Sequence, residues 1–350
     1  AQTIKINHDS QAKTIVFGND KMSITLDYDK KANISVLKIN GQQVIQGNSG
    51  IYSSFRTATA TYSTLNLASD PTVKISSNSV QITGIKYGDK NAPVTETWTF
   101  AIHKTDIDFK IDRTFSKAVL AEKVGFPVFE FDNMNVWEGA YQDYGGLAWF
   151  YLFNKKLDTY GVHSSSSRFW NSKTGNGLSI EVAAPGQQVA MDYSRTAEDK
   201  LAYTIGVSQT AIQPRLDSLT YRRRFVRDTT DIWAPIKISA SKSSQNITFR
   251  YFDYESTFGR GQMPGVNEAQ VSAVLNTIAR IGVIDKAHFG GNSWHTPYGP
   301  ICLHEQYIAQ MGLAINDNAY LTGYRECLDF YRDNAIKPDG RVWPRWAYSN

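Results

Sequence analysis

Two cysteines in 350 residues, Cys302 and Cys327, are too few for a fold held together by disulfides. Both fall in stretches of helical spacing and read as small buried helix residues, with a bridge between neighbouring helices as the alternative. No apolar run is long enough to span a membrane. The charge is nearly balanced, 37 Lys and Arg against 33 Asp and Glu, a net +4. That excludes a dedicated nucleic-acid binder, whose basic residues gather in a patch or stripe. The one dense basic run is Tyr221-Arg222-Arg223-Arg224-Phe225-Val226-Arg227. It reads as a solvated or salt-bridged strand face, with an anionic-substrate clamp as the alternative. Phosphate-binding glycine loops, dinucleotide fingerprints and metal-ligand clusters are also missing, so no cofactor is expected, with room left for a structural calcium ion. The chain begins Ala1-Gln2-Thr3 without an initiator methionine. A secreted or periplasmic protein begins so once its signal peptide is gone, as does a trimmed chain.

Aromatic residues are what the sequence has in excess. Eight Trp and nineteen Tyr contribute to an aromatic share of 13%. Such rings offer an apolar face with a polar edge and suit surfaces that stack on flat ligands.

Two periodicities divide the chain. From Thr3 to about Phe258, turns separate short alternating runs such as Ser23-Ile24-Thr25-Leu26-Asp27-Tyr28, Thr95-Glu96-Thr97-Trp98-Thr99-Phe100 and Ile107-Asp108-Phe109-Lys110-Ile111. Period-two alternation, β-branched enrichment and turns such as Asn40-Gly41 predict antiparallel strands in a large two-sheet sandwich over 1–260. Residues 261–265 follow as a Gly- and Pro-rich linker. Beyond it Val271, Val274, Leu275, Ile278 and Ile281 have helical spacing. A second helix is predicted from about Ile301 to Ile315. A third begins after Asp317, with Tyr320, Leu321, Tyr324, Cys327, Leu328 and Tyr331 on one face. The expected fold class is therefore multidomain β + α: a sandwich, then a helical domain over 266–350. Three helices cannot bury their apolar faces alone, so the sequence is expected to be a piece of a longer enzyme or to be completed by another chain.

The short Asn316-Asp317 turn predicts an αα-hairpin, which brings Phe289–Pro300 and Lys337–Trp346 to one pole. Trp294, His295, Tyr298, Trp343 and Trp346 then gather with Arg341, Arg345 and Asp339. Aromatic platforms beside hydrogen-bonding groups suit a sugar, whose C–H face packs on a ring while its hydroxyls need directional partners. Packing against other protein elements is the alternative for each Trp. Two carboxylates are candidate catalytic groups, Asp339 and Glu305. Asp339 lies in Pro-Asp-Gly, a turn sequence in its own right, and Glu305 lies about one turn into a helix, where the dipole favours a carboxylate anyway. Glycoside hydrolysis needs two such groups. In the sandwich, 129–149 looks too irregular for a strand and too aromatic for an idle loop. Trp137 and Glu138 are its candidate substrate contacts, with packing between domains as the alternative.

A sandwich, a linker and then helical hairpins resembles the clan of six-hairpin (α/α)6 glycosidases, which includes bacterial glucoamylases, maltose and cellobiose phosphorylases and α-L-rhamnosidases. At motif level the resemblance covers Asn292 to Asn350, where the aromatic segment, the hairpin and Pro338-Asp339-Gly340-Arg341 look like a toroid's first hairpins. It implies inverting hydrolysis of an oligo- or polysaccharide, or phosphorolysis, with at least one catalytic carboxylate beyond Asn350. The rival readings are a polysaccharide lyase, a non-catalytic glycan-binding or surface-assembly protein, and a structural β protein. Carbohydrate is the expected partner, and the oligomeric state is not legible.

Overall fold

The computed structural model describes residues 4–143, 147–151, 160–162, 164–209 and 236–258, and beyond them 269, 273, 300–302, 322, 325, 326, 329, 332, 333, 336–341 and 345–347. The chain divides into two compact units, Ala1–Arg260 and Gly261–Asn350.

The first unit is built of antiparallel strands. β1 (Lys5–Asp9), β2 (Thr14–Gly18), β3 (Met22–Asp27), β4 (Asn33–Ile39) and β5 (Gln42–Arg56) form a meander, and β6 (Thr61–Ser63) pairs with the end of β5. A second meander follows: β7 (Thr72–Ile75), β8 (Ser79–Tyr87), β9 (Val94–Ile102) and β10 (Asp106–Phe115). After the short β11 (Val119–Ala121), β12 (Lys123–Glu130) returns to the first sheet beside β5. β13 (Gly139–Asp143) and β14 (Leu147–Tyr151) extend the second sheet, and β15 (Tyr160–Val162) is the outer strand of the first. β16 (Ser166–Asn171) and β17 (Asn176–Ala183) lie in the second sheet, β18 (Gln188–Arg195) and β19 (Leu201–Ser208) in the first. β20 (Ile236–Ile238) pairs with β11, and β21 (Lys242–Asp253) runs between β17 and β10. The result is a ten-stranded sheet, a nine-stranded sheet and a two-stranded ribbon.

Local chemistry explains the pairing. The meander turns from β4 to β5 at Asn40 and Gly41, whose φ angles of 48° and 82° are both left-handed. That is the backbone of a tight hairpin turn, and Asn-Gly is the pair that tolerates it best. Alternation then fixes the faces: in β9 Val94, Glu96, Trp98, Phe100 and Ile102 are buried and the residues between them are not. Rings from the two sheets meet in one core. Phe17 of β2 lies 4.9 Å from Phe100 of β9, and Phe129 of β12 lies 5.8 Å from Phe249 of β21, edge-on. Phe100 and Phe109 stack at 4.5 Å within the second sheet. Each fully buried phenyl contributes about 1.5–3 kcal/mol relative to leaving it in water.

A polar cluster crosses the same core. Glu96 is fully buried and pairs with the Arg113 guanidinium, Nε to Oε1 at 2.5 Å. Tyr87 and Trp98 donate to the two Glu96 oxygens at 2.9 and 2.8 Å. Arg113 Nη1 donates to Gln245 Oε1, and Gln245 Nε2 donates across to the Phe126 carbonyl of the opposite sheet at 2.7 Å.

The expected helical domain is corrected. Among the described residues one helix has defined bounds, α1 (Tyr254–Phe258), and no helical hairpin of an (α/α)6 toroid is present. Helical conformation also occurs at single positions, among them Ala269, Ala273 and the exposed Thr322, Arg325 and Glu326. The start of the second predicted helix is strand instead. β22 (Pro300–Cys302) pairs antiparallel with β23 (Arg345–Ala347), Ile301 opposite Trp346. Pro300 has no amide hydrogen to give, which suits the first residue of such a strand. Cys302 is therefore a strand residue, not a helix residue. Helical spacing reports a local amphipathic tendency and does not specify how helices assemble. The region 129–149 is likewise more regular than its sequence suggests, because it contains the end of β12, all of β13 and part of β14.

Candidate functional site

Loops from both sheets enclose a cleft of about 310 Å³. It is within the range of small-ligand sites, about 300–1,000 Å³. Thr57 and Thr59, in the turn from β5 to β6, form one wall with Tyr62 of β6. Asp89, Asn91 and Ala92, between β8 and β9, form another; Val119, Leu120 and Glu122, in and after β11, close the third.

Each wall has a physical origin. Thr57 Oγ1 accepts from the Ala60 amide at 3.2 Å and makes its turn compact. Tyr62 is held by Phe55, ring to ring at 5.1 Å. Gly88 has φ +90°, and a Cβ there would lie 1.9 Å from the Ala92 carbonyl oxygen. Only glycine lets the loop close so tightly. Closure lets Asp89 Oδ1 accept from the amides of Asn91 and Ala92 at 2.8 and 3.0 Å, while Oδ2 accepts from the Tyr62 hydroxyl at 2.6 Å. That hydroxyl first, and the Asn91 amide second, hold the Asp89 carboxyl below the ordinary carboxylate range. The same bond raises the Tyr62 phenol. Glu122 pairs with Arg56 Nε at 3.2 Å. Both carboxylates of the cleft thus have protein partners. Leu120, on the same wall as Glu122, adds an apolar side chain that is 61% exposed. Hydroxyl, amide and carboxylate groups around one apolar patch can bind a small polyol. An ionised, hydrogen-bonded Asp89 can accept hydrogen bonds but has no proton to give.

Of the residues singled out in the sequence, Trp137 lies in the core. Its ring is 1% exposed, edge-on to Phe131 at 5.8 Å and 5.9 Å from Phe169, so no face is open to a ligand. Glu138 is half-buried and accepts from the Ser172 amide at 3.0 Å. Asp339 is exposed in a turn where the Gly340 amide donates to the Lys337 carbonyl and Gly340 has φ +81°. Its carboxylate accepts from Arg341 Nε at 2.8 Å and Nη2 at 2.5 Å, and Arg341 holds it below the ordinary range. Such a group suits a base and not an acid. Trp294, His295, Tyr298, Glu305, Trp343 and the basic run 221–227 lie outside the described residues, as do the side chains of Arg345 and Trp346. The backbones of 300–302 and 345–347, which overlap the ends of the two predicted pole segments, are paired in β22 and β23.

The cleft was not found in the sequence. Thr57, Tyr62, Asp89 and Glu122 come from separate turns, and each looks like an ordinary turn residue. The Gly88-Asp89 pair was the nearest thing to a signal.

Comparison with known proteins finds distant structural likenesses of the chain. No family model and no curated protein sequence matches the chain. Among solved structures, a putative aldose 1-epimerase from Escherichia coli K12 is similar with 9% identity and a TM-score of 0.39, over 72% of this chain and 100% of that one. A galactose mutarotase-like protein from Clostridium acetobutylicum gives 9% identity and a TM-score of 0.41, over 72% and 98%. The α-galactosidase from Lactobacillus brevis gives 9% and 0.44, over 79% of this chain and 48% of that one. These neighbours are sugar-processing enzymes by name. The resemblance to the six-hairpin clan does not hold, because the described residues are almost all strand with one short helix. Among the described residues no helix is long and apolar enough to cross a membrane.

Proposed function

We propose that the protein is carbohydrate-active and that the cleft between Thr57, Asp89 and Leu120 holds one sugar residue. The observation that carries this reading is the lining of the cleft: hydroxyl, amide and carboxylate groups around the exposed Leu120 in a space of about 310 Å³. A hexose presents the same combination, hydroxyls around its rim and C–H groups on its faces. Because Asp89 and Glu122 are both committed to protein partners, the cleft fits binding better than bond cleavage. Glycoside hydrolysis remains our reading for the enzyme as a whole. In it Asp339 and Glu305 are the candidate catalytic carboxylates, and an Asp339 held ionised by Arg341 suits the part of a base. Trp294, His295, Tyr298, Arg341, Trp343, Arg345 and Trp346 are then the candidate substrate-binding residues. We further propose that the protein works outside the cytoplasm.

The test is a titration of the full chain with neutral mono- and oligosaccharides, followed by heteronuclear NMR or calorimetry, with reducing-end release measured beside it. Binding that Leu120→Asp weakens supports the cleft. Sugar binding that is indifferent to every cleft substitution removes it.

A further inference from the structure

Arg113 leaves one donor nitrogen over. Its Nε is used by Glu96 and its Nη1 by Gln245, but Nη2 is buried without a hydrogen-bond partner. The side chain is 3% exposed, and its guanidinium lies 3.7 Å over the Phe126 ring, which covers one face of the plane. A buried donor of a charged group left unmade is costly, so a partner is to be expected.

Beside Arg113 lies a second, smaller cavity of about 20 Å³, walled by Phe115 and Phe126 and by the polar Gln187, Ser208 and Ser243. Ser243 is the residue directly opposite Arg113 in the pairing of β10 with β21. The volume exceeds the roughly 10–15 Å³ that a cavity needs to hold one water, and falls far short of an organic ligand.

We propose that this cavity binds one water molecule, which accepts from Arg113 Nη2 and donates to side-chain oxygens of the polar wall. A monovalent anion of similar size fits the chemistry less well. Glu96 already balances the Arg113 charge, so an anion would bring an unpaired negative charge into the core. The water gives Nη2 a partner in an ion pair that Gln245 links to the Phe126 carbonyl of the other sheet.

The test combines a crystal structure of the full chain, soaked in bromide, with melting of two variants. Ser243→Val and Ser243→Thr occupy nearly the same volume, but only Thr keeps a hydroxyl that can accept from the water. The water site predicts a density peak within hydrogen-bond distance of Nη2 and no bromide signal there. It also predicts that Ser243→Val melts roughly 3 °C or more below Ser243→Thr. A bromide peak beside Nη2, a dry cavity, or a Ser243→Val protein at least as stable as Ser243→Thr would overturn it. Should neither variant fold, the wild-type density decides the matter.

Discussion

The Tyr62 hydroxyl donates to Asp89 Oδ2 at 2.6 Å, joining a strand of the ten-stranded sheet to a turn of the nine-stranded one at the mouth of the cleft. Its effect on Asp89 has a definite sign. The folded carboxyl titrates below its ordinary value, so the stability it contributes is fully present above that value and is lost as pH falls through the depressed one. Tyr62→Phe should move the Asp89 midpoint upward toward the ordinary range in a carboxyl-carbon NMR titration. An unchanged midpoint would mean that the backbone amides alone set it.

Gly88→Ala should destabilise the first unit by roughly 1–3 kcal/mol in urea unfolding, since the left-handed backbone and the Ala92 carbonyl both oppose a Cβ. Gly41→Ala shares the backbone strain but meets nothing within 4 Å. It should cost less, and equal losses would show that the close approach at Gly88 does not matter.

The buried ion pair gives a non-additive prediction. Glu96→Gln or Arg113→Met alone should cost about 3–5 kcal/mol, because each strands a partner in the core. The double replacement should cost clearly less than the sum of the two. Simple additivity in the cycle would mean that the two groups do not depend on each other.

Much of the β architecture was legible in the sequence. Asn40-Gly41 announced the turn that the structure makes there, and the alternation from Thr95 to Phe100 announced which side of β9 is buried. Trp137 could not be placed from the sequence, because an aromatic residue in an irregular run looks the same whether it awaits a ligand or fills a core. Only the approach of Phe131 and Phe169 distinguishes the two. Ile301 and Cys302 were assigned to a helix on spacing alone, and the strand they form depends on a partner more than forty positions away in the chain, at 345–347. The cleft stayed hidden for the same reason, since Thr57 and Glu122 meet only through sheet topology.

For the proposed substrate-binding residues, Trp294→Ala or Trp343→Ala should lower kcat/KM on an oligosaccharide by roughly tenfold, if a ring contact supplies about 1 kcal/mol or more. Asp339→Asn should abolish turnover if Asp339 is the base. Asn also suits the turn, so melting should be nearly unchanged. Activity losses that merely follow losses of stability would assign these residues to packing.

The most direct test of a carbohydrate role is the binding of a neutral sugar to the full chain, compared between wild type and Leu120→Asp by NMR chemical-shift titration. Leu120 is 61% exposed, so the substitution should leave the melting temperature nearly unchanged. The proposal predicts shifts concentrated at residues 57–62, 89–92 and 118–122, with affinity falling roughly tenfold, about 1.4 kcal/mol, in the variant. No sugar-induced shift at those positions, at concentrations that perturb other parts of the chain, would contradict it.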